Sequence, residues 1–182
     1  NMSKAYAPFR EGNQLLGHKH ELRAELEDHG YLFMRELLHA DAVAQARQDV
    51  RGLLLEDGYV DEDSLHELKW SGKTPEGNVL QCTGAIGRKI SQLESLNRVI
   101  HEESLLELLR ELYGGEIFIW IENVDRVRIQ FRDEVGSTFG GQQISFTTPA
   151  HQDGYHFPVK FVTCWVPLMD IDLQTGGLTL LE

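Results

Sequence analysis

Residues 148–156 read Thr148-Pro149-Ala150-His151-Gln152-Asp153-Gly154-Tyr155-His156, and this stretch contains an imidazole and a carboxylate two positions apart. Because side chains alternate along a β-strand, His151 and Asp153 share one side of the backbone at a strand end. An imidazole and a carboxylate presented together supply two of the three ligands of a facial triad, which holds Fe(II) and leaves open positions on the metal. The sequence therefore predicts a metal site here.

The sequence around this pair is typical of β-strands. Residues 126–132 alternate strictly between polar and apolar side chains, and the apolar runs 161–168 and 178–181 follow the pair. Alternation with a period of two residues indicates strands with one buried face. We therefore expect strands from about residue 117 onwards, with 133–148 as a glycine-containing connection.

The first part of the chain has the spacing of α-helices instead. Residues 21–27, 41–55 and 103–113 are rich in helix formers, and Asp41 is expected to cap the second of these segments. Apolar residues recur three and four positions apart in the second and third segments, which predicts a buried stripe on each. The stripes consist of Val43, Ala46, Val50, Leu53 and Leu54, and of Leu105, Leu106, Leu108, Leu109 and Leu112.

Two segments between these helices are expected to be non-helical. Residues 30–34 are a short apolar run that fits an edge strand, and the glycines and proline of 71–89 favour a long loop. Helices followed by strands indicate an α+β fold, in which the helices pack on an antiparallel sheet. We expect a single domain over 1–182, helical over about 15–113 and with strands over about 117–182.

Composition excludes several classes of partner. The net charge of −12 argues against nucleic acid and against an anionic membrane, since both require a basic surface. Cys82 and Cys164 give neither a disulfide framework nor a CxxC zinc signature. Because no apolar run reaches transmembrane length and no signal-peptide pattern is present, we expect a cytoplasmic protein.

Other catalytic motifs each lack a required residue. Gly72-Lys73-Thr74 is like the end of a phosphate-binding loop, but Glu67 stands where the first glycine is needed. The pair His101-Glu102 begins a zinc-protease helix motif, but Leu105 stands where the second histidine is needed. No Gly-x-Ser-x-Gly nucleophile elbow is present. The His-x-Asp pair is therefore the motif that survives.

Three stretches are informative together: 148–155, then Cys-Trp-Val-Pro-Leu-Met-Asp at 164–170, then Thr-Gly-Gly-Leu at 175–178. They resemble the phytanoyl-CoA dioxygenase family, whose members are Fe(II)- and 2-oxoglutarate-dependent oxygenases built on a double-stranded β-helix (a cupin-like jelly roll). The resemblance is strong over 126–181 and weaker over 20–60. It implies a jelly-roll core on which the N-terminal helices pack.

The resemblance also assigns roles to individual residues. It implies that His151 and Asp153 are iron ligands and that the third ligand is a distal histidine. In the family that histidine and the arginine that binds 2-oxoglutarate lie well beyond Gly177, and neither has a position in this sequence, so the chain is expected to end partway through the jelly roll. Four residues match positions at the 2-oxoglutarate pocket, and three more lie where a substrate approaches. The first set is Arg128, Gln130, Gln152 and Trp165, and the second is Tyr155, His156 and Phe157.

The implied activity is the conversion of 2-oxoglutarate and O₂ to succinate and CO₂, coupled to oxidation of a C–H bond in a small organic molecule. Related halogenases have a small residue at the position of Asp153, so hydroxylation or another oxidation such as desaturation is favoured over halogenation. Two alternatives stay open. One is a non-catalytic jelly-roll binding or assembly module, and the other is a cupin-like metalloenzyme of another class, such as an isomerase or hydrolase. The oligomeric state is left open.

Overall fold

A computed structural model describes residues 7–62, 68–73, 85–119, 138–139, 142–143, 161–171 and 177–180. In these ranges the chain forms five α-helices, four short strands and a 3-10 helix. None of the described helices is long and apolar enough to cross a membrane. The helices are α1 (Lys19–His29), α2 (Ala40–Glu56), α3 (Ala85–Ser91), α4 (Glu94–Ile100) and α5 (Glu103–Tyr113). The strands are β1 (Val60–Glu62), β2 (Leu68–Trp70), β3 (Thr138–Phe139) and β4 (Gln142–Gln143), and the 3-10 helix is Asn13–Leu15.

The three helices predicted from the sequence are all present as α1, α2 and α5. The predicted end of α5 is confirmed, because Gly114 follows it in the left-handed conformation. The prediction that Asp41 caps α2 was wrong: His39 occupies the N-cap position, and Asp41 lies in the first turn. A carboxylate in the first turn still interacts favourably with the helix dipole, which explains why Asp41 marks the helix start without capping it.

Two predicted irregular segments contain regular structure. Helix α3 begins at Ala85, inside the segment 71–89 that was predicted to be a loop, and α4 was not predicted at all. The predicted helical part also contains an antiparallel hairpin, in which β1 pairs with β2 and Asp61 lies opposite Lys69. The edge strand predicted at 30–34 is reduced to a single parallel bridge between Glu11 and Phe33.

The buried apolar residues form two clusters. The first, named here the α2 core, is built where α2 packs against α3, α4 and β1. The second, the α5 core, is built where α1 packs against α5. The α2 core consists of Val50, Leu54, Tyr59, Val60, Ile86, Ile90 and Leu96. The α5 core consists of Leu22, Leu108, Leu109 and Leu112. Both predicted helical stripes therefore point into a core.

The predicted jelly roll is not seen in the residues that the structure describes. Residues 161–168 and 178–180 form no strand, and β3 pairs with β4 inside the predicted connection 133–148. A strand requires a hydrogen-bonded neighbour. The segments that flank these two runs, 144–160 and 172–176, lie outside the described residues. Alternation is retained at 117–119, where the two isoleucines are half-buried and Phe118 is 86% exposed.

Two glycines, one directly after α5 and one inside α2, should respond oppositely to substitution by alanine. Gly114 has φ +74°, which costs an L-residue about 1–2 kcal/mol, so Gly114→Ala should lower the free energy of unfolding by that amount. Gly52 lies inside α2, and an added Cβ would meet nothing within 4 Å. Gly52→Ala should therefore raise the free energy of unfolding by about 0.5–1 kcal/mol. Urea unfolding followed by circular dichroism measures both; effects of the same sign would contradict the assigned conformations.

Candidate functional site

Most residues of the predicted iron site lie outside the described residues. This applies to Arg128, Gln130, His151, Gln152, Asp153, Tyr155, His156 and Phe157. Trp165 is described, together with its neighbours over 161–171. Of the predicted site residues the structure therefore describes Trp165, and the predicted ligands His151 and Asp153 lie outside the described residues.

The segment 161–171 packs on the helical part at Leu168, which is partly buried against the α2 core. Burial raises the pKa of Tyr113, the last residue of α5, and the charge of the Cys164 thiolate raises it further. Trp165 follows directly after Cys164 and is 47% exposed. The indole thus keeps about half of its surface available to another group.

The thiol of Cys164 is not activated for nucleophilic chemistry. Although the residue as a whole is exposed, burial of the thiol itself raises its pKa above the usual value. The nucleophilic form of cysteine is the thiolate, and a raised pKa reduces its population at neutral pH. The partly buried thiol of Cys164 therefore fits a packing role.

A separate cavity of about 500 Å³ lies beside the start of α2, one face of α4 and the residue that precedes α5. This volume is in the range of roughly 300–1,000 Å³ that small-molecule pockets occupy. Its polar lining consists of His39, Asp41, Gln45, Ser95, Arg98 and Glu102. No sequence motif predicted this cavity, because residues 39–45 and 95–102 are distant in sequence and meet only through the packing of α2 on α4.

One carboxylate joins the elements around this cavity. Glu102 Oε1 accepts a hydrogen bond from the backbone N–H of His39 at 2.6 Å and lies 2.5 Å from Nδ1 of its ring. Ser104 Oγ donates to the carbonyl oxygen of Leu37 at 2.7 Å and makes a longer, secondary contact of 3.3 Å with the same Glu102 oxygen. The N-terminus of a helix leaves free N–H groups and a partial positive charge. The side chain of His39 does not cap α2. The carboxylate of Glu102, the residue that precedes α5, therefore stabilises the N-terminus of α2.

The Glu102 side chain is only 9% exposed, and its environment sets its ionisation. Burial raises the pKa of the carboxyl, but hydrogen bonds from the backbone and ring of His39 and from Ser104 outweigh it, so that the pKa lies below its ordinary value. The other oxygen, Oε2, is buried and has no hydrogen-bond partner. Glu102 is therefore a charged acceptor at neutral pH that is only half satisfied.

The described residues that line this cavity do not form a metal-binding group. The residues that the structure describes contain no group of three His, Cys, Asp or Glu side chains able to hold a metal ion. In the cavity the imidazole of His39 and the carboxylate of Glu102 contact each other, and Arg98 adds a positive charge to the lining. The cavity thus differs in chemistry from the His151–Asp153 site predicted from the sequence.

Comparison with known proteins gives a family match and two informative relatives. Residues 26–181 match the family model of phytanoyl-CoA dioxygenase (PhyH). Two curated relatives bear the name 1-deoxypentalenic acid 11-beta-hydroxylase: one from Streptomyces arenae, 23% identical over 190 residues, and one from Streptomyces exfoliatus, 22% identical over 184. Both alignments cover 100% of this chain and 59% of the relative, so the chain spans about three-fifths of their length. No solved structure gives a significant match.

The substitution Glu102→Gln should reveal a stability contribution that depends on pH. The folded-state pKa of Glu102 is lowered, so its charged form stabilises the fold above the unfolded-state pKa, and the contribution is lost as the pH falls through the folded-state value. The variant should lose about 1 kcal/mol of unfolding free energy at about pH 7, because a neutral acceptor replaces a charged one. This difference should shrink as the pH falls below the unfolded-state pKa of the carboxyl and vanish once the pH is below the lowered folded-state value.

The matched control is Glu103→Gln, since Glu103 is 67% exposed and pairs with Arg110 at the surface. Such an exposed pair contributes little, roughly 0–1 kcal/mol. Urea unfolding of the three proteins across this pH range makes the measurement. A deficit in Glu102→Gln that stays constant down to low pH would contradict the role given to its charge.

Proposed function

Since the chain belongs to the phytanoyl-CoA dioxygenase family, we propose that it carries part of the active site of an Fe(II)- and 2-oxoglutarate-dependent dioxygenase. The reaction is the hydroxylation, or another oxidation, of a C–H bond in a small organic molecule. The observation that carries this proposal is the family match over 26–181, which includes positions 151 and 153. The names of the two Streptomyces relatives, both hydroxylases, support it.

In this proposal His151 and Asp153 hold the iron, together with a distal histidine that is not part of this sequence. An imidazole nitrogen and a carboxylate oxygen are donors that suit Fe(II) and fit a facial triad. The bound iron and 2-oxoglutarate supply the oxidising chemistry, and the protein supplies orientation and exclusion of water. Asp153 is the residue that makes oxidation without halide the expected outcome.

Four residues are proposed to position the cosubstrate. The guanidinium of Arg128 and the amides of Gln130 and Gln152 can donate hydrogen bonds to carboxylate oxygens, and such bonds are strong because the acceptor is charged. Trp165 supplies an apolar wall, and its 47% exposure leaves surface free for that contact. The proposed substrate-facing residues are Tyr155, His156 and Phe157, whose mixed aromatic and polar character suits a small organic molecule.

The same proposal covers the domain organisation. We expect helices and jelly-roll strands to form one domain over 1–182, with strands from about residue 117. The contact of Leu168 with the α2 core supports it. A segment from the part of the sequence predicted to form strands thus packs on the helices.

Two observations bear on the class of substrate, and they point in different directions. The overall charge of −12 favours a neutral or amine-bearing molecule over a polyphosphate. The relatives are named for the hydroxylation of an organic acid. A local arginine can overcome an unfavourable overall charge, so small organic acids are the first substrates to test for stimulation of 2-oxoglutarate turnover.

An absorption measurement distinguishes the proposal from its alternatives. The full-length protein, mixed with Fe(II) and 2-oxoglutarate without oxygen, should show the weak visible metal-to-ligand charge-transfer band of such complexes. The control is the same mixture with Zn(II), which is d¹⁰ and has no such band. A folded protein that binds neither ligand would favour the binding module. Iron binding without the band would favour a metalloenzyme of another class.

Substitution of the two ligands tests the residue assignment. His151→Ala and Asp153→Ala should each reduce 2-oxoglutarate turnover by more than about 100-fold, since removing even residues that support metal ligands costs 10–100-fold. The matched control is His20→Ala, which removes an exposed imidazole from α1 and should leave turnover unchanged. Circular dichroism checks that the variants fold. Unchanged turnover in either ligand variant would exclude that residue as a ligand.

A further inference from the structure

The segment 165–169 has one half-buried side and one exposed side. Trp165, Pro167 and Met169 are exposed, whereas Val166 and Leu168, which alternate with them, are half-buried. A period of two is typical of an extended chain, whose side chains point to opposite sides in turn. Leu168 packs on the α2 core. The side of the segment that carries Trp165 and Met169 therefore faces away from the helices.

The side that faces away from the helices is the interior side of the proposed jelly roll. Helices that pack on such a barrel cover its outer surface, and the residues of each strand alternate between the exterior and the interior. The proposed iron and 2-oxoglutarate site lies in that interior, and Trp165 is proposed to line it. Pro167 and Met169 share the side of Trp165. This step rests on the proposed function.

Met169 lies farther along the segment than the residue proposed to contact the cosubstrate. Four residues of extended chain separate it from Trp165 and span up to about 13 Å, which exceeds the length of the five-carbon chain of 2-oxoglutarate. The side chain of Met169 is 56% exposed, so its surface is available to a second molecule in the interior. The second molecule that the proposed reaction requires is the substrate.

The exposed surface around Met169 is apolar. In the described part of the chain, seven of the ten exposed large hydrophobic side chains lie in 161–171 and 177–180. The two stretches lie against each other, because a Cβ on Gly177 would be 3.1 Å from Cγ2 of Ile171. Leu178 and Leu180, which follow, are both exposed. Exposed apolar surface that is concentrated in one place is often a binding surface.

The chemistry of Met169 selects the part of the substrate that it contacts. Methionine is apolar and unbranched, and its side chain adapts to irregular hydrocarbon shapes. The next residue, Asp170, is an exposed acid that disfavours an anionic group at this position. We propose that Met169 is a specificity-determining residue, which contacts the hydrocarbon part of the substrate and sets how large that part is. The acidic group of an organic-acid substrate then points away from this wall.

NMR of the full-length protein, labelled at its methionine methyl groups, tests the contact without requiring turnover. The protein is loaded with 2-oxoglutarate and with Zn(II), which is d¹⁰ and therefore diamagnetic, and Met169→Leu identifies the Met169 signal by its loss. Octanoate should shift this signal with saturation in the millimolar range, whereas acetate, which has only a methyl group, should not. Met34, which packs on the α5 core, is the internal control and should not shift. An unchanged Met169 signal would overturn the proposal.

Substitutions test whether Met169 sets the preference for substrate. With Fe(II), 2-oxoglutarate and O₂, the KM for the acid that stimulates turnover should fall about threefold to fourfold per added methylene from butanoate to octanoate. Met169→Ala should raise the KM for octanoate at least about tenfold and leave the KM for 2-oxoglutarate unchanged, and Met169→Leu should restore the KM for octanoate. The matched control is Leu16→Ala, which removes a 38% exposed apolar side chain from the helical part and should change neither KM.

The outcomes separate this proposal from the proposed function. Absence of the charge-transfer band with Fe(II) and 2-oxoglutarate, together with an octanoate-dependent shift of Met169, would contradict the dioxygenase and support the apolar contact. Presence of the band, together with the same KM for octanoate in Met169→Ala and the unaltered protein, would refute the role of Met169 alone. Circular dichroism checks the fold, and a Met169→Ala variant that unfolds would assign the residue to packing and so overturn the proposal.

Discussion

The hydrogen bonds between residues 37–39 and 102–104 determine how the two groups of helices meet. The Glu102 carboxylate accepts from His39, and Ser104 Oγ donates to the carbonyl oxygen of Leu37 at 2.7 Å. These bonds connect the start of α2, which carries the α2 core, with the start of α5, which carries the α5 core. Because one side of this connection is charged and buried, it has few alternative arrangements. The relative placement of the two cores follows from it.

The sequence was sufficient to predict the helices whose apolar residues repeat over several turns. Helices α1, α2 and α5 have 11, 17 and 11 residues, and their apolar spacing is clear over that length. Helices α3 and α4 have 7 residues each, so Ile86 with Ile90, and Leu96 with Val99, give only one or two repeats. The glycines near α3 then favoured a loop. These short helices are stabilised by burial in the α2 core, which is a tertiary effect that local spacing does not reveal.

The two candidate sites differ in how well the sequence alone could predict them. His151 and Asp153 are two positions apart, so one short motif predicts them, and the family match supports the surrounding fold. Glu102 and His39 are 63 positions apart, and their bond exists only because two helix starts are brought together. Pairs of this kind carry no periodic signal. The bond to Glu102 also explains the wrong prediction for Asp41, since a carboxylate from a different helix already stabilises the start of α2.

The helices influence the proposed dioxygenase pocket through 161–171. Leu168 packs on the α2 core, so the segment is attached to the helices on the α2 side of the connection at Glu102. Trp165 lies three positions before Leu168 in the same segment. A shift of the α2 core would therefore move Leu168 and, with it, the segment that carries the indole of Trp165. Helix packing thus contributes to the position of this proposed pocket wall.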